Sequence, residues 1–259
     1  MSVLVKAGIR AHDIAADSPQ ALCRALNQLH VSEIQLVAHK SFTNFRYSEA
    51  EILKLKQVFD QYEIHVAVYG CYIDPLTEEG RERFHTHIQY AKILNSGAIA
   101  TESAVGSTQL QEDEAVYRSL VEVFRSFARD AEEQGVRFAV ETVWAHPIHS
   151  PEKTRRLLED VAADNLYVIL DPVNLTREPD DTWERSLSRQ AVELYGNRIL
   201  AVHWKKSALD LSHPAIVFAS EKTDVTVITE GLTGDTLQSV IKEMIQGRQN
   251  KILPFIFYV

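Results

Sequence analysis

Residues 138–174 read FAVETVWAHPIHSPEKTRRLLEDVAADNLYVILDPVN, and the fold follows from how this stretch is divided. Two short apolar runs each end on a carboxylate: Phe138-Ala139-Val140 leads into Glu141, and Tyr167-Val168-Ile169-Leu170 leads into Asp171. A charged amphipathic segment lies between them, so the whole has the length and pattern of one βαβ unit. A carboxylate closing such a run costs free energy if it is buried unpaired, which predicts a polar cleft or a cation at that end of the strands. The pattern recurs further on, where Ile199-Leu200-Ala201-Val202 leads into His203. Three consecutive strand ends thus present Glu, Asp and His.

Outward from this unit, short β-branched or apolar runs alternate with longer amphipathic ones. Strands are expected over Leu4 to Ile9, Glu33 to Ala38, His65 to Tyr72, Ala98 to Glu102, Arg137 to Glu141, Tyr167 to Leu170, Ile199 to Trp204 and Ile252 to Val259. Helices are expected over Pro19 to Leu29, Ser48 to Tyr62, Glu78 to Asn95, Glu112 to Gln134, Pro151 to Val161, Thr182 to Tyr195 and Asp235 to Gln246. Ser18 before Pro19 and Ser150 before Pro151 are conventional helix starts. The alternation predicts an α/β fold, a (β/α)₈ TIM barrel formed by a single domain over 1–259, with the last helix missing or very short because the chain stops on its last strand. A doubly wound sheet is the alternative, but GIRAHDIA after the first strand lacks its glycine fingerprint. In a barrel the carboxyl ends of the strands build the site, and here they offer His39, Cys71, Glu102, Glu141, Asp171 and His203.

The composition is that of an ordinary globular protein, with 45% apolar and 24% charged residues in 259. No apolar run approaches the ~20 residues that span a bilayer. MSVLVKAGIRAHD reaches charge too early for a signal peptide, and Cys23 and Cys71 suggest no disulfide framework, so a cytoplasmic protein with no membrane association is expected. A formal charge of -9 argues against nucleic acid as a partner.

Carboxylate, carboxylate and imidazole from neighbouring strands are ligand types that Mn²⁺, Mg²⁺, Co²⁺ or Zn²⁺ accept. Such a metal polarises a carbonyl or hydroxyl oxygen while a nearby base removes the adjacent carbon-bound proton. The competing interpretation is three unrelated loop caps or buried ion pairs. Matching strand positions favour the constellation.

The segments VETVWAH, HSPEKTRRLLEDV, NLYVILDPVNL, ILAVHWKK and ITEGLTGDTLQSVI, in this order, resemble the sugar phosphate isomerase/epimerase family of xylose isomerase-like barrels. The resemblance implies a divalent metal, often Mn²⁺, Co²⁺, Mg²⁺ or Zn²⁺, held by Glu141, Asp171 and His203, with a fourth ligand, a Glu, after strand eight. The expected eighth strand, Ile252 to Val259, runs into Tyr258 instead, and a phenol is a poor ligand. Glu230, after Thr226-Val227-Ile228-Thr229, is the candidate substitute. Epimerases of the family use two glutamates on opposite faces of the substrate carbon. Without the strand-eight Glu, the resemblance points to a metal-dependent isomerase, aldose–ketose or related enediolate chemistry on a sugar or sugar-derived substrate, with Glu141 as the base. A dehydratase, or a degenerate barrel that binds a sugar without turnover, are the alternatives. The endonuclease IV branch is disfavoured, since strand three offers Cys71 and the charge opposes DNA.

His146, Asn174, Lys205 and Trp144 are the expected substrate contacts, with His39 and Glu102 as further strand-end candidates. Lys206 stands where relatives carry Asp, and either adds positive charge beside the metal or is a solvated lysine. Trp204, next to His203 on a strand, should point the other way and pack in the core. Cys71 is assigned to packing, His149 to a loop, and His85 and His87 to a solvent-facing helix. A missing last helix would leave an apolar strip beside strand one that a second subunit could cover, giving a homodimer.

Overall fold

The computed structural model describes residues 5–37, 48–104, 108–178 and 180–246. Eight parallel strands close into a barrel in chain order: β1 (Lys6–Arg10), β2 (Glu33–Val37), β3 (His65–Gly70), β4 (Ile99–Glu102), β5 (Phe138–Glu141), β6 (Leu166–Leu170), β7 (Ile199–Trp204) and β8 (Thr226–Thr229). β1 closes the ring on β8, with Lys6 opposite Thr226 and Ile9 opposite Thr229. The helices are α1 (Pro19–Gln28), α2 (Glu49–Gln61), α3 (Glu78–Ile93), α4 (Glu114–Glu133), α5 (Pro151–Val161), α6 (Asp181–Tyr195), α7 (Pro214–Ser220) and α8 (Gly234–Gln246). Most start where the sequence says they should. The side chains of Ser18, Ser48, Thr77, Asp113, Ser150 and Asp180 each accept a hydrogen bond from a first-turn amide, satisfying a donor the helix cannot.

Alternation along the strands sorts the core into two layers. Val68, Ala98, Ala100, Ala139, Ile169, Leu200, Ala201 and Ile228 fill the barrel, while the residues between them pack against the helices. The outer layer is tightest where Phe84 and Phe127 stack at 4.2 Å between centroids and Phe124 meets Phe138 edge-on at 5.4 Å. Aromatic pairs of this kind each add ~0.5–1.5 kcal/mol beyond their buried area.

For the order of strands and helices, the sequence reading fails in the last third of the chain. The eighth strand is Thr226–Thr229, not Ile252 to Val259, which lies outside the described residues. The shift arises because α7 went unread: it has seven residues, PAIVFAS, of which Ala215, Ile216, Phe218 and Ala219 are buried. So short an apolar run shows no helical period. The segment from Asp235 is therefore the eighth helix and not the seventh. It is full-length, packs against β1, and covers the strip that suggested a homodimer.

Candidate metal centre

Glu141 and His203 stand at the carboxyl ends of β5 and β7, and Asp171 and Glu230 directly follow β6 and β8. Glu141, Asp171 and His203 are 3%, 0% and 1% exposed, and their ligand atoms all lie within 4.8 Å of one another. His203 Nδ1 is 3.0 Å from Glu230 Oε2, 3.4 Å from Asp171 Oδ2 and 3.7 Å from Glu141 Oε1. Glu230 thus joins the three residues that the sequence brought forward together. It sits at the true end of strand eight, where Gly231, with φ of 72°, turns the chain off the barrel and donates its amide to Asp13 Oδ2 at 2.7 Å.

Each carboxylate presents one oxygen to the imidazole and has the other held by the protein. Asp171 Oδ1 accepts the Asn174 amide at 3.0 Å. Glu141 Oε2 accepts the Tyr72 hydroxyl at 3.0 Å, while Asn174 Nδ2 donates to Oε1 at 2.7 Å. Glu230 Oε1 pairs with Arg10 Nη1 at 2.6 Å and Lys205 Nζ at 3.2 Å. Outer partners of this kind orient metal ligands and raise their basicity.

Two observations test whether a divalent cation fits. Neither ring nitrogen of His203 makes an aligned hydrogen bond, although the ring is buried among carboxylates, and such an orphan is costly unless a cation completes it. The donor set, carboxylate oxygens with one imidazole, suits Mn²⁺, Mg²⁺, Co²⁺ or Zn²⁺. The residues fit.

The electrostatics without a cation carry the same message. Burial alone would lower the proton affinity of His203, but the charge of Glu141 and the contacts with Asp171, Glu141 and Glu230 outweigh it and hold the pKa well above the usual imidazole value. Burial likewise opposes ionisation of Glu230, yet the close contact and charge of His203, with the charges of Lys205 and Arg10, hold it well below the carboxylate range. Lys205 Nζ reaches Asp171 Oδ2 at 2.7 Å and Asn174 Oδ1 at 2.8 Å. Burial penalises its charge, but Asp171 and Glu230 keep it protonated. The phenol of Tyr72 is pushed well above its ordinary value by burial, then by Glu141, Glu102 and Glu230.

The other sequence candidates are placed as follows. His146 is buried with Nδ1 3.7 Å from Glu102 Oε2, and burial lowers its pKa against the pull of Glu141. Glu102 lies opposite Glu141 in the β4–β5 register. Trp144 is half-buried; its amide donates to Asn174 O at 2.7 Å, and the Arg177 guanidinium lies 5.9 Å from its ring centroid. Trp204 is buried outside the barrel, edge-on to His213, which caps α7. His149 is a half-buried loop residue beside Glu112, and burial pushes the Cys71 thiol up to about 12. His39 lies outside the described residues.

Two expectations are corrected. Lys206 does not face the site: two residues past the end of β7, it turns outward onto Asp181 and Glu184 of α6. His87 does not face solvent but is buried, with Nδ1 2.8 Å from the Tyr69 hydroxyl; His85 remains half-exposed beside Asp130. The sequence reading also missed Arg10, Tyr72 and Gln35. Arg10 shares the inward phase of β1 with Gly8, but the expected strand stopped one residue short of it.

Residues 23–242 match the family model described as xylose isomerase-like TIM barrel. The chain belongs to that family. No match to a curated protein reaches significance. Among solved structures, D-psicose 3-epimerase in the presence of D-fructose shares 19% identity over 92% of this chain and 89% of that one, with a TM-score of 0.68. The probable 3-DHS dehydratase AsbF from Bacillus anthracis shares 13% over 92% and 97%, with a TM-score of 0.72. The IolI protein with a bound zinc atom shares 16% over 93% and 94%, with a TM-score of 0.66. At these identities the likeness shows the fold alone. Among the described residues no helix is long and apolar enough to cross a membrane.

Proposed function

We propose that this chain is a metal-dependent isomerase or epimerase that moves a carbon-bound proton next to the carbonyl of a small sugar or sugar-derived substrate. The observation that supports the reading is Glu230 Oε2 at 3.0 Å from His203 Nδ1, beside the buried group of Glu141, Asp171 and His203. These four residues would hold Mn²⁺, Co²⁺, Mg²⁺ or Zn²⁺. When bound, the ion polarises the substrate oxygens and stabilises the negative charge that develops on them.

Glu141 is the proposed base. Glu230 is the poorer proton acceptor, because Arg10, Lys205 and His203 hold it ionised. β5 and β8 are three strands apart around the ring, so their glutamates reach the centre from different sides. One carboxylate suffices to shuttle a proton along one face of an enediolate, as aldose–ketose isomerisation needs; two on different sides also allow the inversion of a carbon. The sequence argument against epimerisation, and the degenerate-barrel reading with it, rests on the want of a second glutamate; Glu230 is the proposed second. Lys205, Asn174, His146 and Trp144 are the proposed substrate contacts, the first paired with Asp171 and the second donating to Glu141, contacts that a substrate oxygen could exchange.

The test is uptake of solvent deuterium by a panel of ketoses and aldoses incubated with the Mn²⁺-loaded protein, read by mass spectrometry. Label is expected on a carbon next to the carbonyl and should vanish in Glu141→Gln. No label anywhere in the panel overturns the proton-transfer reading, and label persisting in Glu141→Gln removes that residue as the base.

A further inference from the structure

We infer that Gln35 and Tyr72 form a directional hydrogen-bond relay that fixes which oxygen of Glu141 faces the metal centre, making Tyr72 a positioning residue for that ligand. The inference rests on the metal site proposed above. Gln35 lies on β2, fully buried inside the barrel, and its Nε2 is 2.8 Å from the Tyr72 oxygen. That oxygen is in turn 3.0 Å from Glu141 Oε2.

The direction of the relay is forced by counting hydrogens. An ionised carboxylate has none, so the hydrogen between Tyr72 and Glu141 belongs to the phenol. A phenol has only one, so the hydrogen on its other side must come from the Gln35 amide. A carbonyl turned toward Tyr72 would compete for the same proton and release Glu141. With Oε2 occupied, Oε1 is the oxygen 3.7 Å from His203 Nδ1. The backbone is shaped for the relay: a Cβ at Gly70 would stand 2.9 Å from Tyr72 Cε2 and 2.9 Å from Val37 Cγ2. The bare glycine lets the ring lie back across the end of β3 and aim its hydroxyl at β5. Neither Gln35 nor Tyr72 is a ligand, and they act on the centre only through Glu141.

The test is a titration with Co²⁺ of the wild type, Tyr72→Phe, Gln35→Leu and the double variant, following affinity and the visible absorption of the bound ion, with thermal melting as the control for folding. Tyr72→Phe should fold and lose about 10–100-fold in Co²⁺ affinity, the usual cost of removing an outer partner of a metal ligand. Its cobalt absorption should change, because Glu141 Oε2 loses its donor and only the Asn174 amide on Oε1 still holds the carboxylate. Gln35→Leu should shift both readouts in the same direction by less, and the double variant should be no worse than Tyr72→Phe alone. Gly70→Ala, which keeps both hydrogen-bonding groups but displaces the ring, should reproduce the spectral change, and it decides the matter if Tyr72→Phe does not fold. Unchanged affinity and spectrum in Tyr72→Phe, or additive losses in the double variant, overturn the relay while leaving the metal site standing. A wild type that binds no Co²⁺ overturns both.

Discussion

The β5–α5–β6 and β7–α7–β8 units perform the same task by different means. Each delivers two residues to the centre, Glu141 and Asp171 from one, His203 and Glu230 from the other. The first joins its strands by an 11-residue helix with a serine cap, a proline in the first turn and a full amphipathic face. The second uses seven residues, of which four are buried, capped by a histidine. The comparison teaches that a ligand's legibility depends on the connection before it. Asp171 was found because α5 announces the strand that follows; Glu230 was nearly lost because α7 does not.

The largest effect should come from the ligands themselves. Asp171→Asn and Glu230→Gln should each weaken Mn²⁺ binding by more than the ~100-fold that marks the upper end for outer partners, measured by calorimetric titration. Asp171→Asn losing affinity while Glu230→Gln keeps it would break the equivalence of the two units and return the centre to three ligands. Next in size is the packing of the two helices. Leu157 of α5 and Ile216 of α7 are both buried, so Leu157→Ala and Ile216→Ala should each cost about 2–5 kcal/mol in urea unfolding. A negligible loss at Ile216 would mean that the short helix does not secure β8.

The smallest effect is in pH. Because its neighbours hold the His203 proton above the usual imidazole pKa, and a metal requires the neutral ring, binding must displace that proton. Metal affinity should therefore rise with pH, by up to about tenfold per unit for one proton released, until the raised pKa is passed. Calorimetry in buffers of different ionisation enthalpy would count the proton. A flat affinity from acid to neutral pH would show that His203 gives none up, and would remove it as a ligand that metal binding deprotonates.

Much of the site could be read without coordinates because its signals are local. Glu141, Asp171 and His203 each close an apolar run, and burying a polar group there without a partner is costly wherever the rest of the chain goes. The outward facing of Trp204 followed from alternation alone, whereas Lys205 and Lys206 lie past the end of β7, where that rule no longer applies.

Sequence alone thus determined the alternating strands and helices, the barrel they imply and three of the residues at its mouth, since each depends on a period or a run within a few neighbouring positions. Tertiary structure decided which segment closes the ring against β1, that Glu230 stands at its end, and that Gln35, Tyr72 and Glu141 meet in one chain of hydrogen bonds. Those pairings join residues far apart in the chain, and no local pattern records them: they exist only once closure of the barrel brings β1 beside β8 and the ends of β2, β3 and β5 around one mouth.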